Sequence, residues 1–408
     1  MAGLDMTIFD PILKEEYVGQ RVEMLVAKDN PFMALLKKDE KFGGRNRPLP
    51  LIYGNSQNRS ATFATAVAGT TTLAPEAFLL TRVKNYSVAV IDGETAKASE
   101  ADRDAFADAL TETVDSAIMA LANDIAFGLF RDSSGAMGQV NAEPTEASTT
   151  VITLKSADDV VGFEKGQVIV IYSAKTGGSQ RLYATGVTSG SISAVDRSAG
   201  TITVNTAYDS NGTIAANDYL FVSGDRGLKI SGVADWIPDS APSATSFFGI
   251  DRSVDVVRLA GTRKVGTGMP IEEALIDLAY AIGREGGKPD YAFLNFKQYA
   301  RLCKQLGAKR DYVDVEVAGI SFRGVEIAGP QGTIKVLPDR NMTDGRCYML
   351  QMDSWLLASL GPVVHLLDLD DNRILRQTTN DAYEVRIGSY AQLGCKAPAF
   401  NGIITLDT

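Results

Sequence analysis

The residue types that could carry chemistry are few in this chain and badly spaced for it. His365 is the one histidine among 408 residues, and it lies in the apolar run Pro362–Leu369. A packing role is expected there, and a Ser-His-Asp or Cys-His arrangement has no second imidazole to draw on. Gly54-x-Ser56 and Gly177-x-Ser179 begin like a nucleophile elbow but lack its closing glycine. The run Gly283 to Lys288 has some of the glycines of a phosphate loop. However, Ile282 stands where the first glycine is needed, Pro289 replaces the Ser or Thr, and the expected helix precedes the glycines instead of following them. Asp368-x-Asp370-x-Asn372 opens like a calcium loop, yet Arg373 and Thr379 occupy the positions of its glycine and its closing glutamate. Cys303, Cys347 and Cys395 are odd in number and scattered, with no CxxC pair, so they are read as reduced core thiols. No metal, cofactor or catalytic site is expected. A hydrolase would need an acid pair assembled from distant positions.

The charges that remain conspicuous are basic. From Lys41 to Pro75 there is no acid, while Lys41, Arg45, Arg47 and Arg59 fall in or at the start of that stretch. Few aromatics interleave with them, so contact with a partner subunit is the better reading than a single-strand nucleic-acid surface. The net charge of −10 argues against a dedicated DNA-binding domain, whose footprint would be a basic face. It leaves room for a container wall facing DNA that counterions already neutralise. Hydrophobic residues at 45% and charged residues at 22% are ordinary for a globular chain of about two to three folding units. No apolar run approaches the roughly 20 residues needed to span a bilayer, and MAGLDMTIFDP has no signal-peptide pattern. Folding in the cytoplasm of the producing cell, without a membrane partner, is expected.

The elements around these residues read as follows. Residues 1–45 form an arm: Ile12, Leu13, Tyr17, Val18, Val22, Leu25 and Val26 recur at helical spacing until Asn30-Pro31, and a second short helix holds Phe32, Leu35 and Leu36. Residues 46–92 form a projecting two-stranded excursion between RPLPLIY and FLLTRVKNYSVAVID. A long helix follows, capped near Ser99 and Asp102 and running to Arg131, with Phe106, Leu110, Val114, Ile118, Leu121, Ile125 and Leu129 as one stripe to lay across a sheet. Short β-branched runs over 149–228 predict a small all-β barrel or sandwich inserted into the host fold. An α+β lobe comes next, with a helix from Met269 to Glu285, the strand YAFLN, and a helix capped by Asn295 and stopped at Gly307. Two strand-like runs flank Ala397-Pro398 at the end.

This order of parts, with the phrases VADWIP at 233–238, GPQGTIKVLPDRNMTDGRCYMLQMDSW at 329–355 and DAYEVRIGSYAQLGCKAPAFNGIITL at 381–406, resembles the tailed-bacteriophage major capsid protein. That is the Hong Kong ninety-seven-type fold, shared with encapsulins and the floor of herpesvirus capsids. The resemblance implies an α+β fold divided into an N-terminal arm (1–45), an E-loop (46–92), a P-domain with its spine helix (93–148), an inserted β-rich domain (149–228), a return to the host fold (229–250), an A-domain (251–368) and C-terminal P-domain strands (369–408). It implies a structural protein, not an enzyme, that self-assembles through pentamers and hexamers into an icosahedral shell around double-stranded DNA, touched without sequence preference. A separate scaffolding protein, a portal and a decoration protein are the implied partners, with assembly in the host bacterial cytoplasm and residence in the virion. Lys41, Arg45, Arg47, Arg59, Phe63 and Arg82 are the candidates for contact between subunits. Some relatives weld the shell through an E-loop lysine, but here no lysine lies between Lys41 and Lys84, so no covalent mesh is expected. The sequence starts almost directly at the arm, so little or no N-terminal trimming is expected. An encapsulin-type nanocompartment shell is the alternative, and a hydrolase with a β accessory domain a further one.

Overall fold

The computed structural model describes residues 30–55, 57–70, 74–92, 103–307, 312–317, 320–368, 373–378 and 380–407. The helix expected over Ile12–Val26, the cap at Ser99 and Asp102, and Asp370 and Asn372 lie outside them. Among the described residues the chain first forms helix α1 (Pro31–Leu35), with Pro31 in its first turn, and strand β1 (Lys37–Asp39). A hairpin of β2 (Asn46–Gly54) and β3 (Ala74–Thr81) follows, with the short helix α2 (Phe63–Ala68) between its strands.

FLLTRVKNYSVAVID is not one strand. It breaks at Arg82: β3 pairs only with β2, while β4 (Val83–Asp92) turns to a second sheet and pairs antiparallel with β22 (Ala382–Cys395). Arg82 makes the break by folding back on Phe42, whose carbonyl accepts from its guanidinium and whose ring lies 5.0 Å below it.

The long helix, α3 (Arg103–Gly128), is about 39 Å at 1.5 Å per residue, three residues shorter at its end than the periodicity predicts. Its stripe of Val114, Ile118, Leu121, Ala122 and Ile125 is buried against Ala89 and Ile91 of β4 and Val385 and Ile387 of β22. The partner that meets its end lies a hundred residues away. The chain returns at Gly232, Val233 N–H donates to the Leu129 carbonyl at 2.7 Å, and α4 (Val233–Trp236) starts there. The carbonyl that follows the last residue of α3 is thereby satisfied by a tertiary partner.

Between these two points sits a closed β unit. Strands β5 (Gly138–Gln139), β6 (Thr150–Thr153), β7 (Val168–Tyr172), β8 (Ser189–Asp196), β9 (Thr201–Val204) and β10 (Tyr219–Val222) are ordered β5-β10-β7-β8-β9-β6. The ring closes where Asn141 N–H meets the Thr153 carbonyl at 2.9 Å and Lys155 N–H meets the Gln139 carbonyl at 2.8 Å. Phe163, Ile169, Ile171, Tyr183, Ile192, Ile202, Val204 and Leu220 fill it. The unit starts at β5, eleven residues before the boundary expected at 149.

A small ribbon of β11 (Ser246–Phe247) and β12 (Ile250–Asp251) leads into a seven-stranded sheet. Its order is β13 (Thr262–Val265), β23 (Gly402–Thr405), β18 (Arg346–Leu350), β14 (Tyr291–Leu294), β17 (Gly332–Pro338), β16 (Ile320–Gly329) and β15 (Tyr312–Val317). Helices α5 (Ile271–Arg284) and α6 (Phe296–Leu306) cover it. Asn295 caps α6 by accepting from Lys297 N–H at 2.8 Å, and Gly307, at φ +55°, ends it.

The expected boundary at 368 does not follow the sheets. Strands β19 (Trp355–Ser359) and β20 (His365–Leu366) leave the lobe to join β1, β4, β21 (Ile374–Arg376) and β22. Strand β23 crosses the other way, into the lobe. The two crossings, β18 to β19 and β22 to β23, run through 3-10 turns at Met352–Ser354 and Pro398–Phe400 and stitch both sheets into one core.

Candidate inter-subunit surface

The hairpin has a buried root and a bare tip. Alternation on β2 and β3 turns Leu49, Phe78 and Leu80 inward. The Phe78 ring meets Trp236 edge-on at 4.9 Å. Leu79 N–H donates to the Phe248 carbonyl at 2.8 Å, and Arg258 donates to the Tyr53 carbonyl at 2.7 Å. At the far end α2 has no buried residue: Phe63 is 86% exposed and Val67, one turn on, 58%. An i, i+4 apolar pair on a six-residue helix gains nothing from its own chain.

The six sequence candidates divide along this axis. Arg59 and Phe63 stand at the exposed tip. Lys41, Arg45, Arg47 and Arg82 gather at the root. Lys41 and Arg45 are exposed there, with Lys41 N–H donating to Asp39 Oδ1 at 3.1 Å. Arg47 is ion-paired with Asp39, and Arg82 is spent on Phe42. The Arg47 guanidinium, with the Lys41 N–H behind it, holds the Asp39 carboxyl down at about 2. Arg47 and Arg82 thus have partners inside the chain, whereas Lys41, Arg45, Arg59 and Phe63 face outward.

One surface went unread in the sequence. On β4 the odd residues Ala89 and Ile91 face α3, and the even residues Tyr86, Val88 and Val90 are about half exposed on the opposite face. Tyr390 of β22 joins them, its ring 6.0 Å from Tyr86 and 5.6 Å from His365. Because both faces of Val88–Ile91 are apolar, the run reads as a doubly buried strand, and its alternation carries no signal.

Among the described residues the nucleophile and acid candidates of the sequence stay apart. His365 Nδ1 lies 3.0 Å from the Pro362 carbonyl. Among the described residues no group of His, Cys, Asp and Glu could hold a metal ion. The three cysteines are free, and Cys347 and Cys395 are buried. Burial pushes the Cys347 thiol up and that of Cys395 to about 12, which keeps these two as thiols. No described helix is long and apolar enough to cross a membrane.

Comparison with known proteins gives a family and a fold. The family model described as SU10 major capsid protein matches residues 94–373. The capsid asymmetric unit of cyanophage A-1(L) is 12% identical, with 97% of this chain and 94% of that one covered and a TM-score of 0.50, a likeness of fold. A chain from the structure of Mycobacterium phage Adephagia is 11% identical over 100% and 99% of the two chains at a TM-score of 0.40. The holo-SrpI encapsulin of Synechococcus elongatus PCC 7942 is 8% identical over 99% and 96% at 0.44. No curated protein matches the chain.

Proposed function

The chain belongs to the SU10 major capsid protein family, and we propose from that premise how its parts divide the work of building a phage capsid shell. The hairpin of β2 and β3, within the stretch 46–92, acts as the E-loop and, with the arm at 1–45, whose root at residues 30–36 is seated in the chain's own core, reaches onto neighbouring copies. Helix α3 with the sheet of β4 and β22 acts as the peripheral domain, and the seven-stranded lobe as the axial domain that meets its copies in pentamers and hexamers. Heterologous contacts of this kind close into rings, which a self-complementary patch does not do by itself.

One observation carries the reading. A hairpin rooted on Trp236 ends in a helix whose two large apolar residues, Phe63 and Val67, no described residue buries. Covering Phe63 stabilises by roughly 1.5–3 kcal/mol, and each copy in a shell makes that contact once. Such contacts are individually weak and add up only when the ring is complete, as a reversible assembly requires. Lys41, Arg45 and Arg59 supply polar contacts around the same arm, and Arg47 and Arg82 hold its root. Portal, scaffolding and decoration proteins, and double-stranded DNA held without sequence preference, are the proposed partners, with assembly in the bacterial cytoplasm and no catalytic step.

Electron microscopy of the purified chain, made with its scaffolding partner, tests the proposal. Wild-type protein forms closed shells, and the double variant Phe63→Asp with Val67→Asp stays as subunits or loose rings while its far-ultraviolet circular dichroism is unchanged. Shells at wild-type yield from the double variant overturn the hairpin contact. A monodisperse wild-type monomer under every condition overturns self-assembly through this arm.

A further inference from the structure

The stretch that follows residue 29 does not sit on the surface. Asn30, Pro31, Phe32 and Met33 are all buried. The Phe32 ring occupies a box made by the end of α3, the lobe and β19: Phe130 at 4.9 Å, Phe293 at 5.2 Å and Trp355 at 6.3 Å. The same turn meets the carboxyl of Asp339, a residue without solvent exposure just beyond β17. The backbone N–H groups of Phe32 and Asn341 donate to that carboxyl, the latter to Oδ1 at 2.9 Å. The Asn341 side chain reaches on to Asn30 Oδ1. Asp339 Oδ2 meets no donor among the described residues.

The elements packed around this carboxyl supply little countercharge. From α1 come Asn30 and the Phe32 N–H, and from β14 the Leu294 carbonyl, which accepts from Asp339 N–H at 2.8 Å. The charged group that faces it is Arg340. Its guanidinium is drawn away to Asn123 Oδ1 of α3 at 3.0 Å. A charged carboxylate here is met by two backbone N–H groups and the Asn341 side chain, and it has no ion pair among the described residues, which is too little to offset its burial.

We infer that Asp339 is a proton-operated latch on the root of the N-terminal arm: protonated, it lets residues 30–36 seat in the aromatic box, and ionised, it favours their release. Burial pushes its carboxyl up to about 7 against the pull of the two N–H groups and Arg340. The sign follows from linkage. Below the ordinary carboxyl value of 3.8 the group is neutral whether or not the root is seated, and the latch has its full strength. As pH rises from there, the unseated state ionises first and gains on the seated one, until above about 7 both are charged and the loss is complete. The arm root is held more tightly in mild acid than in mild base.

Hydrogen exchange on the purified full chain reads this directly, without requiring any shell to form. The reporters are the amides of Ala34 and Leu36, bonded to the Asn30 and Phe32 carbonyls at 3.1 and 3.2 Å. The reference is β14, residues 291–294. After division by the intrinsic chemical rate, opening of residues 31–36 is expected to be at least about tenfold more frequent near pH 8.5 than near pH 5, with β14 unchanged. Asp339→Asn keeps the shape and the acceptor and is expected to flatten the profile. A flat wild-type profile overturns the latch, as does a variant that keeps the pH dependence. An equal change in β14 also overturns it, because Asp339 would then act on the whole fold. If the variant does not fold, the wild-type ratio of arm root to β14 decides alone.

Discussion

Truncating Asn401 to alanine should cost this protein about 3–5 kcal/mol. The side chain is fully buried where the chain crosses between the two sheets for the second time. Its Oδ1 accepts from Gln351 N–H at 2.8 Å and from Trp355 Nε1 at 2.9 Å, both on the first crossing. Its Nδ2 donates to Ser354 Oγ at 3.0 Å, again on the first crossing, and to the Ala397 carbonyl at 2.8 Å on its own. One amide thus holds two segments together that are nearly fifty residues apart. Four neutral hydrogen bonds at about 1 kcal/mol each give about 4 kcal/mol. That sum already includes the Gln351 N–H and the Trp355 indole N–H left without an acceptor, and relaxation of the site around them sets the range of about 3–5 kcal/mol. Asn401→Asp keeps both acceptor contacts but inverts the Nδ2 side and buries a charge, so it should be no better than alanine. The assay is urea unfolding followed by intrinsic fluorescence. The two tryptophans of the chain, Trp236 and Trp355, have ring centroids 6.4 Å apart at this junction, so emission reports on it directly. A loss below about 1 kcal/mol in the alanine variant, with the slope of the transition unchanged, would refute the idea that this amide carries the junction.

Two further outcomes follow from single positions. A Cβ on Gly232 would lie 2.4 Å from the carbonyl oxygens of Gly128, Leu129 and Arg131, all backbone. Gly232→Ala should therefore displace the cap of α3 and yield insoluble or thermally weakened protein, whereas Gly227→Ala tests positive φ alone, since nothing there obstructs a Cβ. Mature particles boiled in SDS should run as a single monomer band, because the hairpin between Lys41 and Lys84 carries no lysine to form an isopeptide bond, and a ladder of linked chains would refute this.

What the sequence made legible was what neighbouring residues decide together. The stripe Val114 to Ile125, the cap at Asn295 with its stop at Gly307, and the β-branched runs that close the small barrel all rest on local periodicity or local turn chemistry. The departures all came from partners distant in the chain. Helix α3 ends at Gly128, and the carbonyl of Leu129 just past it is taken by Val233 N–H, about a hundred residues on; nothing near Gly128 announces that partner. The strand run through Arg82 breaks because Phe42 offers the arginine a carbonyl and a ring. Strand β23 belongs to the lobe because it pairs with β13 and β18, more than fifty residues before it.

The same reasoning explains why buried polar residues, and not the exposed basic run, turned out to govern the architecture. Asp339, Asn341 and Asn401 sit in stretches such as PDRNMTDG and APAFNG, which read as solvated turns because turns are where Asp and Asn are most often found. Each is instead sealed at a place where separate elements meet: the arm root against the lobe for Asp339 and Asn341, one sheet against the other for Asn401. An apolar side chain at such a place would pack acceptably in several registers, because dispersion and burial have little direction. A buried amide or carboxyl with its partners fixed accepts only one register and penalises the others by its unmet hydrogen bonds. On the hairpin contact proposed above, each subunit presents the same hairpin to its neighbours, and a single register is what keeps that hairpin the same from copy to copy. The expectation for Asn401 and Asp339 is accordingly asymmetric. At Asp339 an apolar residue of similar size should harm the uniformity of assembled shells more than the stability of the isolated chain, and leucine against aspartate there compares the two directly. Leucine at Asn401, like alanine, instead leaves the Gln351 and Trp355 donors without an acceptor and should destabilise the chain itself.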